Sequence, residues 1–231
     1  MERARFGVWR EGMRYLLYDL DIPGDLLSLW TNPASGKTLP RPHERGTVVT
    51  VEAGGGEYVL RHYFRGGYPS RWSRDRYLWT GFEHSRPWRE FVLLGKLRRQ
   101  GLPVPAPTLA CVERGCLSYR ADLVTSRLSG MSLAQSMDAG TAINWLAIGR
   151  TIRRFHDAGI DHVDLNMHNI FLVDEGRIYL LDFDRAREHR QPGAWGQRNL
   201  SRLRRSLTKG GDRPEFEASW ATLLEGYHLE G

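Results

Sequence analysis

The clearest pattern of hydrophobic and polar positions in the first half of the chain is that of a β-hairpin. Residues 47–52 are rich in β-branched side chains, residues 57–63 resume a strand pattern, and a run of three glycines at 54–56 forms a turn between them. Two further strands are expected at 107–113 and 116–128, with a turn between them. These segments predict an antiparallel sheet.

Helical periodicity occurs once in the first half of the chain and is stronger in the second. Apolar residues recur at helical spacing from 86 to 100, and Gly101 and Pro103 end this predicted helix. A longer helix is expected from about 141 to 158, and a basic helix is expected within 198–209. The second half is therefore predicted to be mainly helical.

A break in the pattern at Ser129 and Gly130 separates the two halves. We expect an α+β protein with two lobes, which the chain length of 231 residues accommodates. Residues 1–46 are predicted to be a partly irregular N-terminal extension. Residues 47–128 are predicted to form an N-lobe with an antiparallel sheet and one main helix, and 129–231 a reduced, mainly helical C-lobe.

The polar residues after the long helix of the second half carry the strongest functional signal. His162, Asp164 and Asn169 have the spacing His-x-Asp-x-x-x-x-Asn, and Asp182 ends an apolar strand. The hairpin expected at 170–181 would bring Asn169 and Asp182 together. Phosphoryl transfer requires a carboxylate at the acceptor hydroxyl and oxygen ligands for Mg²⁺, and this order of residues matches the catalytic loop and metal motif of kinases. The sequence therefore predicts a protein-kinase-like fold with Asp164 as catalytic residue, Asn169 and Asp182 as metal ligands, and His162 bracing the loop.

The predicted nucleotide site in the first half is less regular. Arg61 stands at the strand position where a kinase usually has lysine, and Glu90 on the following helix is its natural partner. Arginine keeps the positive charge and its planar fork can hold phosphate oxygens, although its geometry differs from that of lysine. Gly46 is the one glycine just before the first strand of the hairpin. These three residues are the expected nucleotide-binding residues, and the nucleotide is expected to be ATP.

Several segments outside the catalytic loop are similar to the bacterial 3-deoxy-D-manno-octulosonic acid (Kdo) kinases. They are residues 58–67, 73–79, 101–105, 119–123 and 199–207. The resemblance implies ATP-dependent phosphorylation of the 4-hydroxyl of the Kdo sugar on a lipid A precursor, in lipopolysaccharide core biosynthesis at the cytoplasmic face of the inner membrane. It also implies that arginine at position 61 is usual for an active enzyme.

The net charge of +6 agrees with an anionic acceptor such as a lipid-linked acidic sugar. Four arginines after the strand that carries Arg61 are candidate acceptor-binding residues, although a solvated basic loop is an equal alternative. They are Arg65, Arg71, Arg74 and Arg76. The basic helix within 198–209 would either pack on its own lobe or contact an anionic membrane surface. We expect a cytoplasmic protein, since no secretory signal or membrane-spanning run is visible. The resemblance implies that it is peripheral on the cytoplasmic face of the inner membrane, and we expect no nucleic-acid partner.

Other functions agree with parts of the pattern. A phosphotransferase for an aminoglycoside-like antibiotic or another small alcohol would share the loop and metal motif, and so would an atypical protein kinase. A basic nucleic-acid-binding module or a pseudokinase scaffold is the non-enzymatic alternative. That alternative predicts that Asp164 and Asp182 are dispensable and that binding weakens steeply with salt.

Overall fold

The computed structural model describes residues 6–31, 48–64, 75–174, 176–191, 193–209 and 216–229. The chain divides into two compact units. The first unit comprises Met1–Arg99 and Pro105–Arg127, and the second comprises Gln100–Val104 and Leu128–Gly231. Each unit has its own hydrogen-bonded elements and is described separately.

The first unit is built on one antiparallel sheet with two helices. Its elements are β1 (Phe6–Glu11), β2 (Arg14–Asp19), α1 (Gly24–Thr31), β3 (Val48–Ala53), β4 (Gly56–His62), β5 (Tyr77–Leu78), α2 (Arg86–Arg99), β6 (Pro107–Arg114) and β7 (Ser118–Ser126). The strand order is β1-β2-β6-β7-β4-β3, and β5 pairs with β7 beyond the end of β4. The predicted hairpin is β3–β4, and the predicted main helix is α2.

One core cluster of this unit lies between the sheet and α1. Leu16 of β2, Leu60 of β4 and Leu109 of β6 are almost fully buried, together with Leu26 and Trp30 of α1. Each fully buried leucine contributes roughly 1.5–3 kcal/mol through the hydrophobic effect. The first strands therefore belong to the folded unit rather than to an appendage.

Residues 6–31 differ from the partly irregular extension that the sequence predicted. They form β1, β2 and α1, and β2 pairs with β6 in the middle of the sheet. The two strands have six residues each and α1 has eight, so each gives a short pattern that a scan for periodicity does not resolve. Pairing with β6 and packing on the sheet select their conformation.

The second unit is mainly helical, with two small sheets. Its elements are β8 (Gly130–Ser132), α3 (Leu133–Asp138), α4 (Trp145–Asp157), β9 (Ile160–Asp161), β10 (Ile170–Val173), β11 (Ile178–Leu180), β12 (Arg187–Glu188), α5 (Trp195–Thr208) and α6 (Phe216–His228). The strands pair as β11-β10-β8 and β12-β9. The α+β class, with an antiparallel sheet in one unit and a mainly helical other unit, is thus confirmed. No helix in the described ranges is both long and apolar enough to cross a membrane.

Helix α4 begins later than the sequence predicted because an asparagine caps it. The side-chain oxygen of Asn144 accepts a hydrogen bond from the backbone N–H of Ala147 at 3.0 Å. This bond satisfies one of the free N–H groups of the first turn, which is why asparagine is a favoured residue at this position. Residues before the cap are outside the helix.

Two glycines allow α4 and α6 to cross at close range. A Cβ atom on Gly149 of α4 would lie 1.9 Å from the carbonyl oxygen of Leu223, and one on Gly226 of α6 would lie 2.1 Å from that of Leu146. Both obstacles are backbone atoms, which cannot move without displacing a helix. Glycine is therefore required at both positions by the distance between the helices.

Replacing Gly149 by alanine is expected to destabilise the protein by about 1–3 kcal/mol or more, the usual cost of overpacking a well-packed interior. The matched control is Gly95→Ala in α2, where the nearest neighbour of a new Cβ is the flexible end of Arg99 at 3.5 Å. That change should be neutral or stabilising, because alanine is the better helix former. Thermal unfolding of both variants measures the difference. Equal melting temperatures for the two variants would contradict the close crossing.

Candidate active site

The loop between β9 and β10 presents Asp164. Two turn hydrogen bonds shape it: Leu165 N–H donates to the carbonyl of His162 at 2.9 Å, and Asn169 N–H donates to that of Asn166 at 3.0 Å. The Asp164 side chain is partly exposed, with 26% of its surface accessible. The carboxylate can therefore be reached from solvent while its backbone is held in a turn.

Two asparagines hold the backbone at Asp164. The side-chain N–H groups of Asn166 and Asn169 both donate to the Asp164 carbonyl, at 2.7 Å and 3.0 Å. The Oδ1 atom of Asn166 accepts a hydrogen bond from His168 N–H. Because Asn169 uses its side-chain nitrogen in the loop, its side-chain oxygen Oδ1 is the atom that would bind a metal.

Asp182 lies two residues after the end of β11, and the intervening Leu181 is hydrogen-bonded to Asn169. The N–H of Leu181 donates to the carbonyl of Asn169 at 2.9 Å, so the hairpin joins the two predicted metal ligands as the sequence suggested. Asp182 has φ of +62°, and it is the one residue other than glycine with positive φ in the described ranges. Such a conformation costs about 1–3 kcal/mol and is found mainly where function requires it.

The oxygen donors of Asn169 and Asp182 suit a hard cation. Mg²⁺ is commonly held by one or two protein ligands together with substrate phosphates, and this pair would be the protein's share. No group of three or more His, Cys, Asp or Glu side chains that could hold a metal occurs in the described part of the chain. The amide oxygen of Asn169 and the carboxylate of Asp182 would fit the protein's share of a nucleotide-bound Mg²⁺ site.

His162 links the loop to the strand that precedes Asp182. Its Nε2 lies 2.8 Å from the carbonyl oxygen of Leu181, which can only accept, so Nε2 carries the proton. The ring is 2% exposed and packs edge-on against Phe183 at 4.8 Å. Burial lowers the pKa of His162, so the imidazole stays neutral. These contacts suit a bracing residue.

Asn199 of α5 holds the first residues of the loop between β9 and β10 in place. Its Oδ1 accepts from the backbone N–H of His162 at 2.9 Å, and its Nδ2 donates to Asp161 at 2.8 Å. The Nε2 atom of His156 in α4 lies 3.3 Å from the same Oδ1 of Asn199. The Nδ1 atom of His156 accepts a hydrogen bond from the Tyr227 hydroxyl at 2.8 Å. This buried network joins three helices to the candidate catalytic loop and was not predicted from the sequence.

The buried network makes stability sensitive to acid. Burial lowers the pKa of His156 from 6.5 to about 4, so the unfolded chain binds a proton more readily than the folded one. The stabilisation is complete above pH 6.5 and is lost as the pH falls toward 4, by roughly 3 kcal/mol for this single group. Urea unfolding at pH 7.5 and pH 4.5 should show the loss.

The control for this pH dependence is His156→Gln, which can keep both hydrogen bonds but does not titrate. Its unfolding free energy should fall less between the two pH values than that of the unchanged protein. Part of the fall should remain, because burial lowers the pKa of His162 in the same direction. Identical pH profiles for the variant and the unchanged protein would contradict the assignment to His156.

In the first unit, Arg61 of β4 and Glu90 of α2 form the ion pair expected from the sequence. The Glu90 side chain is 2% exposed and that of Arg61 is 26% exposed. Tyr63, which the sequence did not single out, completes the group: its hydroxyl donates to Glu90 at 2.6 Å and accepts from Arg61 at 3.2 Å. Burial, and next the charge of Glu90, raises the pKa of Tyr63, so it remains a neutral donor.

The remaining predicted site residues have different outcomes. Gly46, Arg65, Arg71 and Arg74 lie outside the described residues. Arg76 lies just before β5, and its guanidinium bonds to the hydroxyl of Ser118 at 3.4 Å. Its role in acceptor binding stays a prediction.

Two arginines lie beside Asp164, and neither contact was predicted from the sequence. Arg202 of α5 donates to Oδ1 of Asp164 at 2.5 Å, and a nitrogen of Arg185 lies 3.5 Å from Oδ2. The sequence did contain a signal, because the predicted basic helix presents Arg202 on the face opposite its buried leucines. The surroundings of the candidate catalytic carboxylate are therefore strongly basic.

Comparisons with known proteins identify the family of this chain. A sequence model of the lipopolysaccharide kinase (Kdo/WaaP) family matches residues 29–227. A protein of Xanthomonas axonopodis pv. citri (strain 306) named 3-deoxy-D-manno-octulosonic acid kinase is 41% identical over 231 residues, which covers 96% of this chain and 93% of that protein.

Two further relatives carry the same name. The protein of Stenotrophomonas maltophilia (strain R551-3) is 46% identical over 190 residues, covering 80% of this chain and 76% of its own length. The protein of Xylella fastidiosa (strain M23) is 45% identical over 167 residues, covering 71% and 67%. The resemblance noted in the sequence is confirmed by matches over most of the chain, and the protein belongs to the lipopolysaccharide kinase (Kdo/WaaP) family of kinases.

Proposed function

We propose that this protein uses ATP to phosphorylate the 4-hydroxyl of a Kdo sugar on a lipid A precursor, in lipopolysaccharide core biosynthesis. The observation that carries the proposal is the similarity, over 96% of the chain, to a relative named for that sugar acid. The loop geometry supports it, because Asp164 is a partly exposed carboxylate on a braced turn. A carboxylate in such a position is what an alcohol acceptor requires.

In this proposal Asp164 orients the acceptor hydroxyl and accepts its proton as the acceptor oxygen bonds to the γ-phosphorus of ATP and the bond from that phosphorus to ADP, the leaving group, breaks. The paired amides of Asn166 and Asn169 keep the backbone of Asp164 in place, so that its carboxylate does not have to be positioned during the reaction. Asn169 and Asp182 would hold Mg²⁺, which neutralises charge on the transferred phosphate.

Arg61 is proposed to bind phosphate oxygens of ATP. Its ion pair with the buried Glu90 and its bond to Tyr63 fix the direction of the guanidinium. Its side chain is 26% exposed, so the guanidinium is partly accessible from solvent. A planar guanidinium can bind two phosphate oxygens at once, which compensates for the absence of the usual lysine.

The site of action is proposed to be the cytoplasmic face of the inner membrane, with the protein bound peripherally. An anionic membrane surface and a lipid-linked acidic acceptor would both attract a chain with a net charge of +6. The exposed face of α5 carries several basic residues, and this face is the candidate for such contacts. They include Arg198 and Arg205, with Lys209 just beyond the helix.

The function is tested by offering the purified protein labelled MgATP with each of three acceptors in non-ionic detergent. The acceptors are a Kdo-bearing lipid A precursor, an aminoglycoside and a serine-containing peptide. The proposal expects label in the lipid alone. Label in the aminoglycoside or the peptide, with none in the lipid, would support a small-molecule phosphotransferase or an atypical protein kinase instead.

A further inference from the structure

Two guanidinium groups from different elements converge on the carboxylate of Asp164. Arg202 projects from α5 and lies 2.5 Å from Oδ1, while Arg185, three residues after Asp182, lies 3.5 Å from Oδ2. All three residues belong to the second unit. The side chains of Arg202 and Arg185 remain 46% and 63% exposed, so both guanidiniums are open to solvent.

This arrangement has more positive charge than Asp164 can neutralise. Two guanidiniums face one carboxylate, and in the described ranges Asp164 is the acidic residue that forms ion pairs with either arginine. Each guanidinium has five N–H donors, of which Asp164 can use only part. The remaining donors favour a second anion next to the base.

An exposed ion pair alone does not account for this geometry. Exposed pairs contribute little to stability, and both oxygens of a proton-accepting carboxylate are engaged here. A catalytic base must keep an oxygen accessible to the acceptor hydroxyl. An incoming anion that takes over one guanidinium would release an oxygen of Asp164 at the moment when the acceptor arrives.

We propose that Arg202 and Arg185 bind the carboxylate of the acceptor sugar and thereby place its hydroxyl at Asp164. This inference rests on the proposed function. In a 3-deoxy-octulosonic acid the carboxylate is attached to C2 and the reacting hydroxyl to C4, so both groups lie on one ring. An arginine fork binds a carboxylate through two parallel hydrogen bonds, which fixes orientation as well as position.

The test pairs an altered enzyme with an altered acceptor. The acceptors are the Kdo-bearing lipid A precursor and the same lipid with its sugar carboxylate converted to the neutral carboxamide. The proteins are the unchanged enzyme, Arg202→Met, Arg185→Met and, as a control, Arg150→Met. Arg150 is an exposed arginine of α4, on another helix of the same unit.

The unchanged enzyme should lose about 10- to 100-fold in kcat/KM on the carboxamide, the usual effect of losing a charge-assisted hydrogen bond. The kcat/KM of Arg202→Met should fall by a similar factor on the natural acceptor. On the carboxamide it should be close to that of the unchanged enzyme, because the carboxylate that Arg202 would bind is already absent. Arg202→Lys should recover part of the loss, Arg185→Met should behave like Arg202→Met, and Arg150→Met should behave like the unchanged enzyme.

The same measurements can overturn the inference. If Arg202→Met and Arg185→Met lose the same factor on both acceptors, the arginines only position Asp164 and the inference is wrong while the function stands. Full activity of the unchanged enzyme on the carboxamide would have the same meaning. If the unchanged enzyme phosphorylates neither acceptor, the proposed function fails and the inference fails with it.

Discussion

Replacing Asp164 by asparagine is expected to lower kcat by about 10²- to 10⁴-fold, the range that general-base catalysis contributes. Asparagine has nearly the same shape and keeps an oxygen for Arg202, but it cannot accept the proton of the acceptor hydroxyl. The backbone carbonyl that Asn166 and Asn169 bind is unchanged. KM for ATP and the melting temperature should therefore stay close to those of the unchanged enzyme.

A suitable control is Asp157→Asn, which removes an exposed carboxylate paired with Arg153 one helical turn away. Exposed pairs of this kind contribute little, so activity and stability should both be retained. Steady-state kinetics with saturating MgATP compares the two variants. Unchanged turnover in Asp164→Asn would contradict its catalytic role and would favour the scaffold or nucleic-acid-binding alternative.

Replacing Asp182 by asparagine is the second change with a large expected effect. The variant should lose about 10³-fold in kcat, because the metal supplies several kcal/mol of charge stabilisation in the transition state and a neutral amide holds Mg²⁺ less well. Asparagine tolerates the left-handed backbone conformation that Asp182 adopts, so the fold should be kept. The Mg²⁺ concentration needed for half-maximal rate should rise.

The control for this variant is Asp174→Asn in the turn between β10 and β11. Asp174 is exposed and belongs to the same hairpin, but it is far along the strands from the predicted metal ligands. Its variant should show the rate and Mg²⁺ dependence of the unchanged enzyme. If Asp182→Asn kept the normal Mg²⁺ dependence, the metal-binding role of Asp182 would be wrong.

The geometry of the candidate catalytic loop could be predicted from the sequence because it is local. Asp164 and Asn169 lie five residues apart in one turn, and one short hairpin joins Asn169 to Asp182. Spacing alone therefore encodes their proximity. Arg61 and Glu90 are farther apart in the chain and could be paired for another reason, since a strand and the next long helix carry them in an order that kinases share.

The contacts that the sequence did not reveal join residues that are far apart in the chain. Arg202 reaches Asp164 across 38 positions, and Asn199 reaches His162 across 37. Periodicity predicts which face of α5 is buried but not what the exposed face meets. Tyr63 was not predicted for a different reason. Its position in the sequence is that of one more apolar residue at the end of a strand, and the hydrogen bond from its hydroxyl to the buried Glu90 is known only from the structure.

The N-terminal strands and the crossing of α4 with α6 show a second limit of structure prediction from the sequence. β1 and β2 are short, and they are selected by pairing, β1 with β2 and β2 with β6, rather than by their own pattern. Gly149 and Gly226 look like helix-weakening residues in the sequence. That glycine is required at these positions follows only from the close contact between the backbones of the two helices.

The most direct test of the account is the position of the phosphate on the product. The purified protein is incubated with MgATP and a Kdo-bearing lipid A precursor, and the product is examined by phosphorus–proton correlation NMR. The account predicts a new phosphate coupled to the proton on C4 of the Kdo sugar, and no such signal with Asp164→Asn. A new phosphate on another sugar of the lipid, or consumption of ATP with no phosphorylated lipid, would contradict it.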